Sequence, residues 1–567
     1  MPTPYKSSPT VTVSLSGNIL IDSLIAGRKW APDSSGKFVI TYSFPTASSL
    51  WAPSDTQFTS ALSDNAKQKA RDSLKAWSDV CNLVFVEVEE TPTLVGDIRF
   101  AYGTNPNISS NAVGWASFPG DYPGAGDVWT NQSQVKYDSG PFLHELGHAL
   151  GLKHPFDGGI IAPKEFDNLG YSVLSYTARE KTIFGNTPMP NDILAIQYLY
   201  GTNMSTHAGN DNYQFQNQSD PMTGYSNHAY WDAGGVDTFD ASLINKAVVI
   251  DLRPGGFSAI GHWADYYNVA IPSNVIIENA VASRFDDIIY DNEADNWLEG
   301  GEGNDQFYVG LGNDTISGGS GNDTIYYTTS LKAFKVNRVE DSVVIQGMNN
   351  SSNRDVAFSV ETLRFSDYSV NLSIQANAKL ISTQNLRTLE ELYVAFFNRV
   401  PDADGLNYWI KQIQKGMNIA QIAESFYTAA LQFSKETGYT ESATNTDFVR
   451  IIYKNVLGRF AETAPPDADV NYWATNLNNG TVSRGQLVNS MLLSAHTYKG
   501  DKTWGWVADL LDNKVSVANY FALQNGLNFN SDQESISKGM AIASQVNATD
   551  INAAIQLIGL STDAITI

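Results

Sequence analysis

The sequence predicts a multidomain protein: an α/β domain over residues 1–210 with an N-terminal extension of about 30 residues, a parallel β-roll over 211–375, and an α-helical domain over 386–567. Three observations point to this layout. The chain has 567 residues, where a typical domain uses about 100–200, so more than one core is expected. Between about 282 and 326 its texture becomes a strict nine-residue repeat. From about 386 it turns helical and duplicates itself.

Each element follows from local pattern. "KFVITYSFP", "NLVFVEVEE" and "GDIRFAYG" read as strands, and "NAKQKARDSLKAWSDV" reads as an amphipathic helix. "GPFLHELGHALGLK" has apolar residues at helical spacing. "PNDILAIQYLYG" opens with Asn191 as cap candidate after Pro190 and closes at Gly201, where a left-handed residue is expected. In the repeat the rows are "ASRFDDIIY", "DNEADNWLE", "GGEGNDQFY", "VGLGNDTIS" and "GGSGNDTIY". Their sixth positions are Asp287, Asn296, Asp305, Asp314 and Asp323; the eighth, Ile289, Leu298, Phe307, Ile316 and Ile325, are apolar and fill the roll. In the last third, "YVAFFNRVPDADGLNYW" is echoed by "YKNVLGRFAETAPPDADVNYW". "PDAD" reads as a helix start, with a metal loop as the lesser alternative. Tyr408 with Trp409 and Tyr472 with Trp473 are expected in the core.

Composition narrows the function classes. Sixty acidic against thirty-six basic residues give a net charge of −24, which repels nucleic acid and anionic membrane and suits a soluble protein or one loaded with cations, calcium being the candidate. The one cysteine, Cys81, excludes an internal disulfide framework. No apolar run is long enough for a transmembrane segment, and "MPTPYKSSPTVTVSLSG" lacks the marks of a Sec signal, which by itself suggests a cytosolic protein.

"HELGHALGLKHP" holds three of the seven histidines. On a helix, His144 and His148 lie four apart and point at a single metal ion. A positive φ at Gly151 would swing His154 to the same ion. Three neutral imidazoles leave the fourth tetrahedral position open to water, as in a catalytic zinc site. Glu145 is offset by about 100° around the helix, beside that water rather than on the metal, where it can act as general base and then protonate the departing amine.

This segment resembles the long zinc motif of the metzincin proteases, and Pro155 with the downstream repeats makes it similar to the serralysin branch. The resemblance covers about residues 30–370. It implies that Tyr176 in "SVLSY" binds or releases the zinc and stabilises the oxyanion of the tetrahedral intermediate; Leu174 stands where that family has methionine, a departure at its defining turn. Backbone groups around Val113 to Ser117 in "SNAVGWASFPG" correspond to the strand edge that holds the peptide, with an ordinary internal strand as the alternative. In the glycine-rich turns Gly300, Gly301, Gly303, Gly310, Gly312, Gly318, Gly319 and Gly321 permit close backbone, and the repeat carboxylates offer the hard oxygens calcium takes. In the known motif two nine-residue units make one coil, which pairs Asp287 with Asp305, Asn296 with Asp314, and Asp305 with Asp323. The resemblance further places His207, Gly209, Asp211, Asp232, Gly234 and Asp237 around one calcium ion, and Gly235, Asp237, Ile276 and Glu278 around a neighbour.

Such RTX repeats resemble those of proteins exported by the bacterial type I secretion machinery through an uncleaved C-terminal signal, for which the tail "LIGLSTDAITI" is the candidate. The helical region resembles a widespread repeat domain of bacterial secreted and surface proteins whose function is not established; it is expected either to attach the protein to cell surface, matrix or substrate or to assist export. The expectation is therefore a secreted, calcium-stabilised zinc endopeptidase acting on proteins or peptides. The alternative is a calcium-dependent surface or matrix scaffold with an inactive protease-like domain.

Overall fold

A computed structural model describes residues 2–109, 111–132, 140–178, 185–217, 227–261, 267–348, 353–561 and 564–567. The chain divides into two compact units, Met1–Gly303 and Asn304–Ile567.

In the first unit the α/β region is built on a sheet ordered Leu83–Glu87, Phe38–Ser43, Ile98–Thr104, Val128–Thr130, Gly114–Ala116. All neighbours are parallel except the last pair, which is antiparallel, and Gln57–Ser60 adds antiparallel to Ile98–Thr104. The helix Asp64–Val80 starts at Ser63, whose hydroxyl accepts from Ala66 N at 3.2 Å, and buries Ala66, Ala70, Leu74 and Trp77 along one face. Trp77 reaches the next helix, Gly140–Ala149, donating its indole N–H to Leu143 O at 3.1 Å. The helix Pro190–Tyr200 corrects one expectation: its N-cap is Met189, not Asn191. Proline takes the first helical position because its missing N–H has no partner to lose there. Gly201 ends the helix with φ +82°, as its position predicts. The N-terminal extension supplies Thr10–Thr12, paired antiparallel with Arg28–Trp30.

The repeats form parallel ladders within each unit. In the first, Thr238–Asp240 lies between Asn212–Gln214 and Asn279–Val281, and the latter pairs with Trp297–Glu302. The register stacks Phe239, Ala280 and Leu298, all fully buried. In the second, Gln306–Tyr308, Thr324–Tyr326 and Thr362–Arg364 stack Phe307, Ile325 and Leu363 in the same way. Two nine-residue units make one coil, so repeat positions eighteen residues apart stack on one face, as Ala280 on Leu298 and Phe307 on Ile325, and one apolar column runs through each ladder.

The last region is mostly helical. Helices include Thr383–Phe397, Ala403–Gln414, Ile419–Gln432, Asn445–Asn455, Asp467–Asn478, Arg484–His496, Gly505–Ala518 and Asp532–Ser544. Both "PDAD" segments start helices, at Ala403 and Asp467. Two strands depart from the all-helical expectation. Leu527–Phe529 pairs antiparallel with Tyr368–Asn371, and Ile565–Thr566 pairs parallel with Phe334–Val339. The tail expected to be the export signal thus ends in a strand; its Thr562 and Asp563 lie outside the described residues, as does Ser110 of the expected edge strand. The aromatic pairs are corrected in part: Tyr408 and Tyr472 are 55% and 65% exposed, because each sits on the outer face of its helix while Leu406 and Val470 take the core, whereas Trp409 and Trp473 are half-buried. No described helix is long and apolar enough to cross a membrane.

Candidate metal centre and substrate cleft

The helix Gly140–Ala149 carries His144 and His148 one turn apart. It stops where Gly151 adopts φ +101°, and a Cβ at that position would lie 2.4 Å from Arg28 O. The chain turns there and brings His154 back to the other two. Nε2 of His148 lies 3.2 Å from Nε2 of His144 and 3.1 Å from Nε2 of His154. Each Nδ1 donates away from this centre: His144 to Val173 O at 2.7 Å, His148 to Leu152 O at 2.8 Å, His154 to Asp157 Oδ2 at 2.7 Å. Those oxygens only accept, so the ring protons reside on Nδ1 and three Nε2 lone pairs face one another. Lone pairs so placed repel unless a cation lies among them. Tetrahedral ligands about 2.0–2.1 Å from an ion stand roughly 3.3 Å apart, close to the spacing observed. The imidazole set and this spacing fit zinc. Burial pushes His144 down to about 4 and His148 to about 3, which keeps both neutral at pH 7.

Glu145 is 6% exposed, and burial lifts its carboxyl to about 8. Its neighbour is the strand Gly114–Ala116: a Cβ on Gly114 would meet Glu145 Cγ at 3.0 Å and Oε1 at 3.1 Å. That strand ends the sheet order. Val113 O accepts from Asn131 N at 2.9 Å and Ser117 N donates to Asp127 O at 3.0 Å, so residues 113, 115 and 117 turn their backbone groups inward. By alternation, the N–H and C=O of Gly114 and Ala116 face the open side.

Tyr176, 68% exposed, stacks on His144 with centroids 5.7 Å apart and planes at 14°, and lies 4.7 Å from the His154 ring. Burial and the charge on Glu145 raise its hydroxyl above the usual tyrosine value, so it stays protonated. Leu174 is fully buried beneath the helix, its Cδ2 3.1 Å from where a Cβ on Gly147 would stand. The turn holding Leu174 and Val173 is organised by Asp192, a residue the sequence pattern did not single out. Its carboxylate accepts from Ser172 Oγ at 2.6 Å, Val173 N at 2.7 Å and Met189 N at 2.9 Å, while burial lifts it to about 7. Asp157, which orients His154, and Gly114, which abuts Glu145, were missed as well. An acid three residues after a histidine was the visible signal for the first; the second depends on strand packing and left none.

The acidic residues gather separately. Carboxylate oxygens of Asp211, Asp232 and Asp237 lie within 4.8 Å of one another. Asp237 Oδ1 accepts from Asp211 N at 2.7 Å, and its buried Oδ2 finds no hydrogen bond among the described residues. A Cβ on Gly235 would meet Gly209 O at 2.0 Å, so Gly209 and Gly235 are pressed together beside Asp237. His207 O accepts from Ala233 N at 3.1 Å and its ring faces Asp211, at 3.3 Å. Glu278 joins through Asp237 N at 2.8 Å, while Ile276 is half exposed. Burial lifts Asp237 to about 6.

Among the repeat positions, Asp305 N donates to Asp323 Oδ1 at 2.9 Å, which brings this eighteen-residue pair together. Asp323 Oδ2 is buried without a partner among the described residues, and a Cβ on Gly318 would stand 2.5 Å from it. Burial lifts Asp323 to about 6. The oxygen-only donors and unpaired carboxylate oxygens fit calcium. Asp314 N instead donates to Asp355 Oδ1 at 3.2 Å, a partner outside the nine-residue period. Asp287 accepts from Val248 N at 2.6 Å. Asn296 uses its amide N–H groups as donors, to Glu278 O at 2.7 Å and Asn292 Oδ1 at 3.0 Å.

Three converging imidazoles beside a strand edge, followed by an acidic parallel roll, define the class of chain. Residues 192–400 match the serralysin C-terminal domain of the M10 peptidases, and 423–499 match a domain of unknown function, DUF4214. The chain is 33% identical to serralysin of Proteus mirabilis over 48% of its own length and 65% of that protein. It is 38% identical to serralysin C of Dickeya chrysanthemi, over 44% and 58%, and 33% identical to the metallopeptidase AprA of Pseudomonas marginalis, over 51% and 67%. It thus spans less than two thirds of the first two. The chain belongs to the serralysin family.

Proposed function

We propose that the chain is a secreted, calcium-stabilised zinc endopeptidase of metzincin type, with working regions over 1–210, 211–375 and 386–567. The convergence of three Nε2 atoms whose ring protons are all committed elsewhere carries this reading.

Zinc held by His144, His148 and His154, with Tyr176 as an exchangeable further ligand, would supply a Lewis acid that lowers the pKa of water to about 7 and polarises a carbonyl. Glu145 takes the proton of the attacking water on its carboxylate and returns it to the departing amine. Burial alone sets its carboxyl at about 8, and beside a zinc ion that value would be drawn down, leaving a carboxylate to accept the proton. The outward N–H and C=O of Gly114 and Ala116 receive the substrate as an added strand, which binds backbone and selects little among side chains. The Tyr176 hydroxyl donates to the oxyanion of the tetrahedral intermediate. Leu174, fully buried, serves as the apolar floor that methionine provides in relatives. Calcium would neutralise the carboxylates around Asp237 and Asp323 once the chain reaches the outside, after export by a type I route.

Casein digestion, with and without chelator and with Glu145→Ala, tests the reading. We expect the variant to keep its zinc and lose at least about a hundredfold in rate. Activity surviving in Glu145→Ala would remove the mechanism. Wild-type protein that holds zinc yet cleaves nothing would leave the scaffold alternative.

A further inference from the structure

The helical region holds a second candidate site, distinct from the histidines. A cleft of about 580 Å³ lies among the helices Thr383–Phe397, Ala403–Gln414, Ile419–Gln432 and Asp532–Ser544 and the strand Leu527–Phe529. This volume is mid-range for small-molecule sites, which run about 300–1,000 Å³. Half-buried Trp409 forms one wall, backed edge-on by the buried ring of Phe426 with centroids 4.9 Å apart, and buried Tyr393 meets that same ring at 4.8 Å.

Two polar atoms on the lining find no hydrogen bond among the described residues. One is a donor, Asn528 Nδ2, on a side chain 4% exposed; the other is an acceptor, Asn530 Oδ1. Neither amide can rotate to satisfy itself without breaking a bond. Asn528 Oδ1 accepts from Asp404 N at 2.7 Å, and Asn530 Nδ2 donates to Phe365 O at 2.8 Å. Leaving a buried amide group unpaired is unfavourable, so a ligand group that completes either one is favoured once the side chain opens toward the cleft.

Inner charges are already matched. Arg399 pairs with Asp402 at 3.0 Å, Asp402 also accepts from the Ser535 hydroxyl and from Phe529 N, and Asp404 accepts from Asn371 Nδ2 at 2.7 Å. An anionic ligand would therefore lose its hydration without meeting a free cation, while the exposed carboxylates of Glu436 and Asp532 on the lining can accept from hydroxyl groups. A ligand with hydroxyls, each able to give and to accept, and with C–H faces to lay on aromatic rings, suits every group described.

The duplication supports a binding role. Tyr393, Arg399 and Trp409 recur as Tyr453, Arg459 and Trp473, which line a smaller cleft of about 200 Å³. There too a buried polar atom lacks a partner among the described residues, Arg459 Nη2 on a side chain 8% exposed. We propose that the cleft between Trp409 and Asn528 binds a neutral saccharide, which gives the helical region the role of holding the protein on glycan.

The full calcium-loaded chain is titrated with neutral gluco-, manno- and galacto-configured oligosaccharides, and with tetramethylammonium and an N-acetyl dipeptide amide as rivals, followed by calorimetry and tryptophan fluorescence. A saccharide is expected to bind, Trp409→Ala and the half-buried Asn530→Ala each weakening it about tenfold or more. Both variants should keep a single cooperative melting transition, somewhat lowered by the lost packing on Phe426 and the lost bond to Phe365 O, and digest casein at the wild-type rate. The proposal fails if no saccharide binds, if binding ignores normally folded Asn530→Ala, or if the ammonium or dipeptide probe binds in its place.

Discussion

The histidine cradle and the acidic turns are both built for cations, but they meet folding in opposite ways. At the cradle the groups are imidazoles, and each ring is oriented by a hydrogen bond to Val173, Leu152 or Asp157. At the turns the groups are carboxylates forced into burial, with Asp237 and Asp323 lifted to about 6 and an oxygen on each lacking a partner among the described residues. The first site is therefore preorganised, while the second depends on its ligand for part of its stability.

Withdrawing calcium is the largest test of that contrast. An ion present at a hundredfold excess over its Kd adds about 2.7 kcal/mol, so loss of several should lower the melting temperature by roughly 10 °C or more in calorimetry. A chain that melts alike in calcium and in EGTA would erase the difference. Next, Gly114→Ala drives a methyl group against Glu145 and against Trp129 O of the paired strand, and a misplacement of about 1 Å can cost a hundredfold in rate. We expect kcat/KM on casein to fall about that far with zinc content unchanged; a wild-type rate would separate the strand from the site.

Acidity sharpens the comparison further. Asp323 and Asp355 rise from 3.8 to about 6 on folding, so the folded chain holds their protons more tightly. That stabilisation is fully present below about pH 4 and lost as pH rises through 6. In EGTA, acidifying from pH 7 to 5 should strengthen protection of strands Thr324–Tyr326 and Arg354–Phe358 in hydrogen exchange corrected for intrinsic rate. Saturating calcium should abolish the gain. The imidazoles run the other way: held at about 4 and 3, His144 and His148 favour the fold above 6.5 and lose that contribution as pH falls through those values. The smallest effect belongs to Leu174→Met, a buried swap of similar volume that should cost less than about 1.5 kcal/mol and leave casein hydrolysis near the wild-type rate.

Periodic and short-range features were open to reading from the chain alone. A nine-residue repeat sets which side chain faces inward, so the column of Phe307, Ile325 and Leu363 extends a rule already visible in the first two. Likewise His144 and His148 share a face because a helix turns every 3.6 residues, and Gly151 reverses the chain by a local conformation. Contacts between remote segments had no such signature. Gly114 against Glu145, Asp192 beneath Val173, Asp355 at Asp314 and the strand Leu527–Phe529 on Tyr368–Asn371 each join residues far apart in the chain. Local spacing thus determined which groups carry the chemistry. Packing alone decided what touches them, because those neighbours are chosen by burial and hydrogen bonding across the fold and not by distance along the backbone.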